Sequence, residues 1–116
     1  MSNLSVHVVD VANGHVAQGL SIQVVRVNGL DRQAVYSGCI EADGLALGLS
    51  QLSIPTSICE VVLEVGCYYQ RPGSKLPHLP FLDEVVYRFG LDDPQQHYHL
   101  PFAMTPWGFS CFRGGA

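Results

Sequence analysis

The chain has 116 residues, a formal net charge of −4, 47% hydrophobic and only 14% charged residues. That length suits a single domain, residues 1–116, able to bury a core without disulfide or metal staples. No basic run offers a footprint for phosphates, so no nucleic acid is expected as partner, and no segment reaches the ~20 apolar residues of a membrane span.

The elements follow in chain order. "LSVHVVD" sets Leu4, Val6 and Val8 against Ser5, His7 and Val9, the period of a half-buried strand. Asn13-Gly14 is a turn signal, and "LSIQVVRVNG" is a second strand closed by Asn28-Gly29. "RQAVYSGCIEADG" reads as a third strand ending at Asp43-Gly44, and "LALGL" as a short fourth. Pro55 breaks the loop that follows. "ICEVVLEVGCYY" is rich in branched residues and reads as a strand throughout, with room for a short helix near Tyr68 before Pro72 and Gly73 end it. "EVVYRFG", "HYHLPFAMT" and "WGFSCFRG" complete the set, the last two parted near Pro106. About eight short strands at this turn spacing predict an all-β protein, a two-sheet antiparallel sandwich.

Charge at 14% is low for a domain that must coat itself, which points to surface covered by a partner. Cys39, Cys59, Cys67 and Cys111 fit neither a zinc-ribbon nor a CxxC spacing. They read as reduced, small apolar residues of a cytoplasmic protein, and "MSNLSVHVVD" lacks the basic start of a secretion leader.

Chemistry concentrates in the histidines. His97 and His99 stand at i and i+2, so they share one strand face about 7 Å apart. His7 lies opposite the apolar face of the first strand. Three imidazoles together can take and return a proton near neutral pH. The same pattern also suits hydrogen-bonded structural histidines, and a zinc ion on three histidines is the less favoured alternative. His15 and His78 fall in turn-like segments and read as structural. Arg113 offers a rigid fork of donors in an unusual ending, "FRGGA". The serines include no GxSxG elbow, and the carboxylates cluster in turns as solvated groups.

"LSVHVVDVANGHVAQGL", "PFLDEVVYRFGLDDPQQHYHLPFAMTPWGFS" and the ending "FRGG" together resemble the transthyretin-like 5-hydroxyisourate hydrolases of urate breakdown. The resemblance runs through nearly the whole chain in order. It implies a transthyretin-like sandwich assembled as a homotetramer, with active sites at the interface between dimers. The implied reaction is hydrolysis of a small ring substrate, 5-hydroxyisourate, to 2-oxo-4-hydroxy-4-carboxy-5-ureidoimidazoline, with no cofactor and no metal. By the same resemblance His7, His97 and His99 are catalytic, and the tail Phe112, Arg113, Gly114 and Gly115 lines the substrate site. Three positions depart from the family pattern. Leu45 stands where an arginine is expected, Phe112 where a tyrosine is, and Gly115 where a serine is, with Ala116 added. These losses keep two rival readings open: acid/base chemistry on a more apolar ring, and a non-catalytic ligand-binding module.

Overall fold

Alternation governs the first strand. β1 (Leu4–Asp10) buries Leu4, Val6, Val8 and Asp10 and leaves Ser5, His7 and Val9 half-buried on its other face. The computed structural model describes residues 2–115. Their strands are β1, β2 (His15–Val16), β3 (Ser21–Asn28), β4 (Asp31–Cys39), β5 (Ser57–Leu63), β6 (Val85–Leu91), β7 (Tyr98–Thr105) and β8 (Gly108–Ser110), with one short helix, α1 (Val65–Tyr69). They form two four-stranded sheets, ordered β2-β1-β7-β8 and β4-β3-β5-β6. The sandwich is the expected one, with one difference: β1 and β7 run parallel, the other pairs antiparallel.

The core lies between the sheets. Leu4, Val6, Val8, Leu100, Phe102 and Met104 from one side meet Ile22, Val24, Val61, Leu63, Val85 and Leu91 from the other. Each large side chain buried this way contributes about 1.5–3 kcal/mol. Phe102 packs edge-on against Tyr87, ring centroids 5.5 Å apart.

Three expected boundaries move. "LALGL" is no strand: Leu45 makes a single bridge to His7, and Leu47–Gln51 coil into a 3₁₀ turn anchored by buried Leu49. The strand read through "ICEVVLEVGCYY" stops at Leu63, and Val65–Tyr69 are helical. An extended chain would send Tyr68 and Tyr69 to opposite faces. The helix instead brings both rings inward, edge to face at 4.9 Å.

The third difference is at the end. β8 covers only Gly108–Ser110, yet the tail keeps its register: Ala103 opposes Ser110 and His99 opposes Gly114, which sets Phe112 opposite Pro101. Residues 99, 101 and 103 direct their backbone groups toward this edge. Pro101 has no N–H to give, so the ladder opens there and closes again at Gly114.

The helix rings serve a buried acid. Asp10 is fully enclosed. Its carboxylate accepts from Tyr69 at 2.6 Å, Tyr68 at 3.0 Å and the Asn13 side chain at 2.8 Å. Burial pushes its pKa up, but the hydrogen bonds from Tyr69, Asn13 and Tyr68 outweigh burial and hold it below the usual carboxylate value. The folded pKa therefore lies below the unfolded one, so the stability it confers is present above about pH 4 and is lost as pH falls further. Tyr69→Phe should cost roughly 1.5–3 kcal/mol in urea unfolding at pH 7, and this deficit should shrink below pH 4 as Asp10 protonates. A deficit that stays constant with pH would show that the network does not depend on the charge.

Candidate active site

Three imidazoles converge on the outer face of the first sheet. His7 comes from the middle of β1, His99 from the second position of β7, and His97 from the residue just before that strand. Parallel pairing sets Ser5 directly beside His99 and His7 beside Pro101. The Ser5 hydroxyl lies 2.6 Å from His99 Nδ1 and 2.9 Å from His97 Nε2. His99 is half-buried, whereas His97 is exposed.

Neighbouring segments hold this row in place. Buried Asn3 bonds both backbone groups of Ile54, at 2.7 and 2.9 Å, and its carbonyl accepts from the Tyr98 N–H at 2.8 Å. That fixes the start of β7 and with it both histidines. Residues 44–46 run along the edge of β1 opposite β7, with Val8 N–H donating to the Gly44 carbonyl and Ala46 N–H to that of Val6. Gly44, at φ +86°, lies so close to His7 that a Cβ would come within 2.7 Å of the ring's Cδ2. Only glycine suits both that backbone and that contact.

Burial, with His7 and His97 nearby as further potential cations, lowers the pKa of His99 below the ordinary 6.5. Its imidazole is therefore mainly neutral at pH 7, with a lone pair able to accept a proton. Among the described residues no group of three or more His, Cys, Asp or Glu side chains is arranged to hold a metal ion.

The other expected site residues divide. Leu45 pairs with His7 across the edge and, with Ala46, Leu47 and Leu49, forms the apolar wall of an open cleft reaching Ser5 and His97. Gly114 exchanges two backbone hydrogen bonds with His99, at 2.7 and 3.1 Å. Gly115 lies over the histidines at φ +67°, where a Cβ would be 2.9 Å from that of His99. Serine there requires the tail to shift, so the glycine is more than a missing hydroxyl. Phe112 is exposed opposite Pro101. Arg113 turns away: its guanidinium stacks 4.1 Å from the ring of core residue Tyr98 and donates to Gln96 Oε1 at 2.9 Å. Within one chain it does not reach the imidazoles. Ala116 lies outside the described residues.

His15 is exposed and bonded to the carbonyl of Val16, and His78 sits exposed in the loop before β6. Larger clefts open around that loop, near Arg71 and His15, and hold none of the clustered imidazoles. Ser5 and Asn3 are the residues that sequence reading passed over. Ser5 shares the outward face of β1 with His7, two residues away, so period-2 alternation was the signal that could have found it.

The model of the HIUase/Transthyretin family matches residues 4–114. The chain belongs to this family. It is 36% identical to "5-hydroxyisourate hydrolase 2" of Rhizobium meliloti, over 96% of this chain and 94% of that one. It is 38% identical to the 5-hydroxyisourate hydrolase of Mesorhizobium japonicum, over 96% and 90%. The solved structure of Klebsiella pneumoniae 5-hydroxyisourate hydrolase superposes with a TM-score of 0.78 at 26% identity, over 98% of this chain and 99% of that one.

The electrostatic coupling within the cluster is testable without substrate. His99 should titrate below pH 6.5 by NMR, and His97→Gln should move it upward by removing a neighbouring cation. A His99 that titrates unchanged in His97→Gln would exclude this coupling.

Proposed function

We propose that the chain is a single-domain 5-hydroxyisourate hydrolase. The observation that carries this is the convergence of His7, His97 and His99 on one sheet face, in a chain whose full-length relatives bear that name. Neutral His99 takes a proton from water. The resulting hydroxide adds to a ring carbonyl carbon, the adjacent C–N bond breaks, and the ring nitrogen accepts the proton. His7, on the same sheet face and bridged to Leu45, can bond the carbonyl oxygen as charge develops on it. Imidazole and water suffice for this reaction, which needs no cofactor. The cytoplasm, where four free cysteines stay reduced, is the compartment we assign. The rival readings draw less support, since the relatives matched over their whole length are named as hydrolases.

The test is the decay of freshly generated 5-hydroxyisourate against its spontaneous rate. The wild-type chain should accelerate it, and His99→Ala or His7→Ala should lose about 10²–10⁴-fold, the usual worth of general-base catalysis. His15→Ala and His78→Ala should be nearly silent. Leu45→Arg restores paired donors beside His7 and should raise kcat/KM about ten-fold or more, since a charged hydrogen bond contributes roughly 1.5–3 kcal/mol. Full activity in His7→Ala and His99→Ala would end the general-base account. A loss in Leu45→Arg would show that the leucine is tuned to this reaction.

We further propose a homotetramer with sites at the interface between dimers. Among the described residues β6 and β8 are sheet edges that pair on one side only, with Val86 and Phe109 exposed on them. Such edges invite pairing with a second copy. Light scattering should give four times the chain mass at micromolar concentration, and a stable monomer would remove the interface.

A further inference from the structure

The hydroxyl of Ser5 is the only group in contact with both His97 and His99 among the hydrogen bonds of the described residues. It has one proton to donate and two lone pairs. Each neutral imidazole likewise carries one N–H. A continuous chain of bonds through Ser5 therefore has two possible directions, and they differ in consequence. In one, His99 Nδ1–H donates to Ser5 and Ser5 O–H donates to His97 Nε2. This leaves His99 Nε2 with a bare lone pair and places the N–H of His97 at Nδ1, on an exposed ring. In the other, His99 Nε2 carries the proton and is no base.

Resting on the functional reading above, we propose that Ser5 is a positioning residue that locks His99 as the Nδ1–H tautomer and joins it to His97 as a proton relay. As water attacks the ring carbonyl carbon, its proton moves to His99 Nε2, the Nδ1 proton moves to Ser5 Oγ, and the Ser5 proton moves to His97 Nε2. One O–H bond of water is exchanged for one N–H bond on His97, and Ser5 ends with one proton as it began. The same path run backward returns the proton to the departing ring nitrogen. The gain is in where the charge resides. A cation on half-buried His99 would be poorly solvated, with His7 beside it and Gly115 packed over it, whereas His97 is exposed to water. The strand register secures the geometry, since Ser5 and His99 are cross-strand neighbours and neither has to reach.

The experiment compares the full-length wild type with Ser5→Ala and Ser5→Thr, assayed on freshly generated 5-hydroxyisourate and by nitrogen-15 NMR of the histidine rings. Ser5→Ala should lower kcat roughly ten- to hundred-fold with KM little changed, and His99 should become a mixture of tautomers. Ser5→Thr keeps a hydroxyl and should recover most of kcat and the single Nδ1–H tautomer. Both side chains are on the outer sheet face, so the core that sustains folding is untouched. Wild-type kcat in Ser5→Ala, or a His99 that stays Nδ1–H without the hydroxyl, would overturn the proposal. If the wild-type chain fails to accelerate decay, the functional reading falls, and the ring spectra alone decide what Ser5 does.

Discussion

The register of β1 is the constraint on which the molecule rests. Four of its residues, Leu4, Val6, Val8 and Asp10, are fully enclosed, and the three between them form the outward row that includes Ser5 and His7. A slip of one residue would carry Leu4, Val6 and Val8 to the surface and Ser5 and His7 into the core. The hydrophobic pattern that folds the protein therefore also orients its chemistry. Both edges of the same strand are occupied as well, β7 on one side and the Gly44–Ala46 segment with β2 on the other. One strand thus fixes the distances among Ser5, His7, Leu45 and His99.

The two ends of β1 treat polar groups differently. At its far end Asp10 is charged and fully satisfied, gripped by two phenols and an amide. At its near end the imidazoles meet only one hydroxyl, and burial keeps His99 uncharged. A buried group that is completely hydrogen-bonded stiffens a structure, whereas an incompletely satisfied basic nitrogen is reactive. The buried acid holds α1 against the sheet, away from the histidines.

The tail follows from a single proline. Pro101 cannot bond toward the edge, so the strand after Trp107 loses contact at Phe112 and regains it at Gly114. The return brings two residues without side chains against His99. Their smallness lets the backbone approach the rings, with Gly115 in a conformation that other residues rarely adopt. The same alternation sends Arg113 to the opposite face, onto Tyr98 and Gln96. Its part in any site shared between copies is therefore set by assembly rather than by the chain alone.

Sequence by itself determined the strands with a clear period of two, the turns at Asn-Gly and Asp-Gly, and the three outward histidines, because these depend on spacing between near neighbours. It also carried the family resemblance, through motifs at both ends of the chain. It did not determine that β1 and β7 run parallel, since pairing partners some ninety residues apart leave no local trace. It left room for a short helix near Tyr68 but not its start at Val65, because branched, aromatic composition favours a strand and the distant carboxylate of Asp10 draws both tyrosines inward. Ser5 carried no role in the sequence until the fold set it opposite His99. A serine's role is decided by what stands within three ångströms of its hydroxyl, and only tertiary structure brings those neighbours together.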